Sequence, residues 1–300
     1  MANPDRPDWE QAGRDWPNRS ASAFISVGGV RWHVQRLGQG PCLLLLHGTG
    51  ASTHSWRDLA PLLAKVFTII APDLPGHGFT TAPSPTQMTL PGMAALVGAL
   101  LKALAVQPDL VLGHSAGAAI AIQARLDNHL APRGIISLNG ALLPWRGLPG
   151  HLFTPAAKLF ATNSLVARWF AWRARDRRVI ERLIASTGST LDARGAELYQ
   201  RLIQHPAHVW AALSMMANWD LGLMEQGLPR LDTPLFLIVG LNDTTVSPRE
   251  ARRVRTSCRP DAELFELPGL GHLAHEEQPQ AVAALVKRIA AQLELTRTNS

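Results

Sequence analysis

The segment Asp109-Leu-Val-Leu-Gly-His-Ser-Ala-Gly-Ala-Ala-Ile-Ala-Ile-Gln constrains this chain more than any other. It sets an apolar strand, a Gly-X-Ser-X-Gly pentapeptide and a small-residue helix in immediate succession. That succession predicts a nucleophile elbow, in which Gly113 and Gly117 remove side chains that would clash in a sharp strand-to-helix turn. The turn lifts the Ser115 hydroxyl to the C-terminal edge of a sheet. There it meets a helix N-terminus, which favours developing negative charge. Ser115 is the candidate nucleophile.

A serine hydroxyl is a poor nucleophile until a base takes its proton, and the base needs a third group to orient it. Pro234-Leu-Phe-Leu-Ile-Val-Gly reads as a buried strand, and the loop after it, Leu241-Asn-Asp-Thr-Thr-Val-Ser-Pro, carries Asp243. Leu267-Pro-Gly-Leu-Gly-His places His272 in a glycine-bearing loop before the final helix. The chain order Ser115, Asp243, His272 is the one a strand–elbow–helix architecture uses. The preceding strand, Gly134-Ile-Ile-Ser-Leu-Asn, ends in the amide of Asn139, and Asp232 lies before its strand, at the wrong end of the sheet. Asp243 is thus the candidate acid and His272 the candidate base. Two backbone N–H groups should hold the substrate oxyanion. One is that of Ala116; the other falls in His47-Gly-Thr-Gly, with Thr49 the expected donor and Gly48 the alternative.

The hairpin Ala23-Phe-Ile-Ser-Val, Gly28-Gly29, Val30-Arg-Trp-His-Val-Gln opens the sheet. Strands at 41–46, 66–71, 109–113, 134–139, 234–240 and 262–267 alternate with helices near 53–64, 90–105, 115–130 and 278–294. Such alternation implies a parallel sheet covered on both faces, with ligands bound at its C-terminal edge. His47, Ser115, Asp243 and His272 all follow strands on that edge. The stretch between 134–139 and 234–240 is too long for one crossover helix. It carries helical periodicity over Pro155–Ala174, Arg177–Ala185, Leu191–Gln204 and His208–Asn218. It is expected to be a helical cap, 145–230, inserted into a core of 1–144 and 231–300 whose first twenty residues form an arm. Trp210, Met215, Met216 and Trp219 are expected to pack that cap.

The chain of 300 residues is 46% hydrophobic, enough for a large core. Cys42 and Cys258 are its two cysteines, which fits a reducing compartment. The polar N-terminus and the lack of a long apolar run lead us to expect a cytoplasmic protein. Eleven Lys/Arg and six Asp/Glu fall in 145–230, so five of the six net positive charges sit there. Tryptophan and phenylalanine separate these arginines, which speaks against nucleic acid and for a membrane surface or an anionic, apolar ligand. Asp73 and His77, in Asp73-Leu-Pro-Gly-His-Gly-Phe, read as a structural turn. No metal-ligand spacing, dinucleotide fingerprint or P-loop is present, so no cofactor or metal is expected.

These motifs resemble the α/β-hydrolase superfamily over nearly the whole chain. The resemblance implies an eight-stranded, mostly parallel sheet with helices on both faces and an inserted helical cap. Serine at the elbow sets the chain apart from superfamily members with an aspartate nucleophile. Further segments, among them Gly13-Arg-Asp-Trp-Pro-Asn-Arg, Gly28-Gly-Val-Arg-Trp-His-Val-Gln-Arg, His47-Gly-Thr-Gly-Ala-Ser-Thr-His-Ser-Trp-Arg, Leu138-Asn-Gly-Ala-Leu-Leu-Pro and Met215-Met-Ala-Asn-Trp-Asp-Leu, resemble the magnesium chelatase accessory proteins of purple phototrophic bacteria. That resemblance implies a place in bacteriochlorophyll biosynthesis, at the step where magnesium enters protoporphyrin. It also implies an esterase-like hydrolase or a non-catalytic tetrapyrrole-binding protein, with a small apolar or amphipathic substrate or a tetrapyrrole as ligand and chelatase subunits as partners. In the binding case, cap arginines would pair with porphyrin propionates. Peripheral contact with the inner membrane through the cap completes the expectations.

Overall fold

The computed structural model describes residues 5–144 and 163–296. Eight strands, β1 (Ser22–Val27), β2 (Val30–Leu37), β3 (Cys42–Leu46), β4 (Thr68–Pro72), β5 (Leu110–His114), β6 (Gly134–Leu138), β7 (Leu235–Gly240) and β8 (Glu263–Leu267), form one sheet. Its order is β1-β2-β4-β3-β5-β6-β7-β8. The β1–β2 and β2–β4 pairs are antiparallel, and every pair from β4 onward is parallel. This is the expected α/β-hydrolase architecture. In the hairpin Val27 pairs with Val30, which leaves Gly28 and Gly29 as a two-residue loop at φ +63° and +74°. A loop that matches the twist of its strands needs positive φ at both positions, and glycine adopts it without strain.

The helices are α1 (Trp9–Ala12), α2 (Leu59–Leu63), α3 (Leu90–Ala103), α4 (Ala116–Leu126), α5 (Ser164–Arg173), α6 (Arg177–Ala185), α7 (Ala193–Ile203), α8 (Pro206–Asn218), α9 (Leu221–Gly227), α10 (Pro248–Arg253), α11 (Ala274–Glu277) and α12 (Pro279–Gln292). Side chains alternate across each central strand, so β3 sends Leu44 and Leu46 to one face and Leu43 and Leu45 to the other. The first face is covered by α3 and α4, the second by α2 and α12. Burial on both faces explains why these strands read as unbroken apolar runs.

Two expected helices are interrupted, the first by a contact from another element and the second by a local proline. Residues 53–64 start as a 3-10 turn, Thr53–Trp56, because the Asp73 carboxylate holds the Thr53 N–H at 2.7 Å; α2 begins only at Leu59. The final helix is preceded by the single turn α11, because Pro279 disfavours helical geometry at Gln278, which sits at φ −139°, ψ 68°.

Helices α5–α9 lie between β6 and β7, where the insertion was expected. Asp176, Asp192 and Asp220 cap α6, α7 and α9 by accepting backbone N–H bonds, and Pro206 opens α8. The expected helix over Pro155–Ala174 is seen as α5; its part at 155–162 lies outside the described residues. The N-terminal arm is packed down. Buried Trp16 donates its indole N–H to Thr53 Oγ1, and Trp9 meets Phe24 and Phe79 edge to face. Asp15 accepts from Arg194 and Arg201 of α7, tying arm to insertion.

Asp73, just past β4, ties β2 and the loop after β3 to its own loop. Fully buried, it accepts N–H bonds from Thr53 and Phe79 and faces His33 Nδ1 at 2.8 Å. Asp73→Ala would strand all three donors, and we expect a loss of about 3 kcal/mol in urea unfolding. An unchanged midpoint would contradict this anchoring role.

Candidate active site

Ser115 stands between β5 and α4 with φ +51° and ψ −114°, a conformation that L-residues adopt only under constraint. The constraint is close packing. A Cβ on Gly117 would stand 2.0 Å from Leu46 O, so α4 can press against the end of β3 only with glycine there. The Ser115 N–H donates to Leu138 O, which fixes the elbow to β6.

Asp243 and His272, from the loops after β7 and β8, meet with His272 Nδ1 2.7 Å from Asp243 Oδ2, both side chains buried. With Nδ1 spent on the carboxylate, Nε2 is the nitrogen left to exchange a proton. Asp243 is itself held: Oδ1 accepts from the Thr245 and Val246 N–H groups, and Oδ2 accepts from Asn139 Nδ2 at 2.7 Å. Asn139 also donates to Gly271 O and accepts from Gly240 N. Sequence alone marks Asn139 only as a strand end that lacks an acid. Its polarity at the end of an otherwise apolar strand was the available signal that it serves neighbouring loops.

A segment of the insertion clasps the same two loops. Thr187 O accepts from His272 N and Thr244 N, Thr244 Oγ1 donates to Ser186 O, and Ser189 Oγ accepts from Leu273 N. Gly188, at φ +77°, lies so near the Asp243 loop that a Cβ would stand 1.9 Å from Asn242 O. Glu277 closes the clasp, accepting from Gly271 N at 2.8 Å and Thr190 N at 3.1 Å. Sequence spacing carried no sign of this clasp.

The loop after β3 is set by histidines. His47 Nε2 accepts from Leu74 N, and its Nδ1–H donates to Gly48 O, each at 2.8 Å. A trans peptide points its C=O and N–H in opposite directions, so fixing Gly48 O turns the Thr49 N–H the other way. His208 of α8 accepts from Gly78 N and donates to Gly50 O, linking insertion to loop. His77 packs against His47 and His208.

Gly48, Thr49, Ser115, Ala116 and His272 line a single cavity of about 830 Å³, a size suited to a small-molecule ligand. Ile180, Ile184, Met215, Met216, Trp219 and Leu221 of the insertion give it a mostly apolar wall. Trp210 instead packs near Ala167 and Ala171. Asp220 is the carboxylate of the lining, and no Lys or Arg belongs to it among the described residues. Tyr199 also lines it and donates to buried Glu276, which Arg57 pairs; burial pushes the Glu276 carboxyl up to about 7.

Burial dominates the histidines around this cavity and lowers the pKa of His47, His54, His77, His114 and His275, with His208 lowered to about 4. A group whose folded pKa lies below its unfolded value of about 6.5 gives full stability above that pH and loses it as the pH falls. Each such histidine contributes a slope of up to about 1.4 kcal/mol per pH unit below pH 6.5. Protonation of Glu276 offsets only part of this loss, so the melting temperature should drop steeply from about pH 6 toward pH 4. A flat profile from pH 7 to 5 would contradict neutral, buried imidazoles.

The model of the alpha/beta hydrolase family matches residues 43–285. The chain is 41% identical over 278 residues to the magnesium-chelatase 30 kDa subunit of Rhodobacter capsulatus, covering 91% of this chain and 95% of that protein. It is 29% identical over 271 residues to pyrrolizixenacetamide deacetylase of Xenorhabdus hominickii, covering 88% and 96%. Among solved structures, an alpha/beta hydrolase fold protein from Burkholderia ambifaria superposes with a TM-score of 0.75 at 24% identity, covering 89% of this chain and 97% of that one. The chain belongs to the alpha/beta hydrolase family.

Proposed function

We propose that this protein is a serine hydrolase of esterase type. The observation that carries the reading is the buried His272–Asp243 pair, 2.7 Å apart, with His272 opening on the cavity that Ser115 also lines. Ser115 Oγ attacks the carbonyl carbon of an ester, and His272 Nε2 takes the hydroxyl proton and returns it to the leaving alcohol. Water then repeats the sequence on the acyl-enzyme and frees Ser115. Asp243 keeps the imidazole in the required tautomer and stabilises its protonated form. The N–H groups of Thr49 and Ala116 hold the oxyanion; the orientation of the Gly48–Thr49 peptide favours Thr49 over Gly48 for this task. The apolar wall suits a small apolar or amphipathic ester.

Residues 145–230 act in this reading as a cap over a core of 1–144 and 231–300, excluding water during the chemistry. The work of the enzyme belongs to bacteriochlorophyll biosynthesis at the magnesium chelatase step. The support is the Rhodobacter relative's name and the segments of arm and insertion that a hydrolase in general does not need. Chelatase subunits are the proposed partners. The protein is proposed to act in the cytoplasm, with the insertion in peripheral contact with the inner membrane.

A second reading, a tetrapyrrole-binding protein in which the serine is idle, is favoured by the volume and apolar wall of the cavity. One experiment separates the two. In a bacteriochlorophyll-producing strain deleted for this protein, wild type should restore pigment and Ser115→Ala, expressed to the same level, should not. Full recovery with Ser115→Ala would overturn the hydrolase reading and leave the binding one.

A further inference from the structure

Helix α5 is built inside out for a surface helix. Its inward stripe, Ala167, Ala171 and Ala174, is made of small residues and is fully buried against the insertion. Leu165, Trp169 and Trp172 repeat at the same i, i+4, i+7 spacing on the opposite side and are 71%, 54% and 58% exposed. Phe170 is exposed beside Trp169, with the two rings edge to face at 4.9 Å. None of these four residues lines the cavity. A helix serving only the core would reverse the arrangement, with the aromatic rings inward and short polar residues outside.

The charges around this stripe are mostly positive: residues 163–182 hold six arginines against Asp176 and Glu181. Residues 163–175 contain no Asp or Glu. Arg168 is held by Asp5 at 2.8 Å, whereas exposed Arg173, Arg175, Arg178 and Arg182 form no ion pair among the described residues. Exposed tryptophans flanked by unpaired arginines match an interface with apolar chains below and anionic headgroups above. A second copy of the chain would bring like charges face to face. No described helix is long and apolar enough to cross a membrane.

We propose that α5 is an in-plane membrane anchor, its Leu165–Trp169–Trp172 stripe seated in the headgroup region of an anionic bilayer and Arg173, Arg175, Arg178 and Arg182 set against lipid phosphates. This assigns to particular residues the peripheral contact proposed above, on which it rests; it is independent of the chemistry at Ser115. The anchor has a use. Leu183 of α6 and Met216 of α8 are half exposed and also line the cavity, so the insertion that docks also carries apolar residues from the surface to the site.

Liposome flotation tests the anchor. Wild-type protein should float with vesicles of mixed phosphatidylcholine and phosphatidylglycerol, should not float with phosphatidylcholine alone, and should be released at high salt. The double variant Trp169→Ala/Trp172→Ala should bind at least about tenfold more weakly, with an unchanged melting temperature because both rings face solvent. No flotation of wild type at low salt would overturn the peripheral contact itself. Flotation retained by the double variant would overturn the role of α5 alone. A wild-type dimer in light scattering that the double variant loses, without flotation, would assign the face to a second copy. Flotation only when chelatase subunits are added would assign it to a protein partner.

Discussion

Ser115 can hold a positive φ because α4 presses against the end of β3, and only a residue without a Cβ at position 117 lets it come so close. The strain is local, but what resists it is the whole central sheet. β5 is paired on both sides, β3 supplies the carbonyl that Gly117 meets, and β6 accepts the Ser115 N–H. Apolar burial on both faces of these strands is the force that keeps the elbow bent. The loops around the cavity are then arranged about a fixed point.

The insertion takes part in that arrangement and does more than roof the cavity. Residues 186–190 bond to the loop bearing Asp243 and to the loop bearing His272, and Glu277 returns the contact from the other side. His208 does the same for the loop after β3. The arm, through Asp15, holds α7 in turn. Buried polar groups in such a web are costly when left unpaired, so each bond disciplines the position of its neighbours. An insertion that moved as a separate lid would have to break several of these bonds at once.

The strands were legible because burial on both faces leaves an unbroken apolar run, and the elbow, acid and histidine loops because their residue types follow strand ends in a recognisable order. What sequence reading missed depends on partners far along the chain. Asn139 reaches Asp243 across 104 positions, and His208 reaches Gly50 across 158. No local pattern announces such a bond. The break in the helix expected at 53–64 has the same origin, since Asp73 arrives from another element. Helices α9 and α10 went unanticipated because they are short and depend on the side chains of Asp220 and Ser247 at their starts. For α5, periodicity locates the helix without saying which of its apolar residues face inward. Alanine and tryptophan both count as apolar in a periodic pattern; packing chose the smaller one for the inside.

In the proposed hydrolase, Ser115 is a nucleophile poised by His272 and Asp243. Intact-protein mass spectrometry after treatment with a fluorophosphonate reads this most directly. A single phosphonyl adduct is expected on wild type, mapped to Ser115, and slowed by at least about a hundredfold in His272→Ala, since the base is needed to activate the hydroxyl. Absence of an adduct on folded wild-type protein, or an adduct that persists at the same rate in Ser115→Ala, would contradict it.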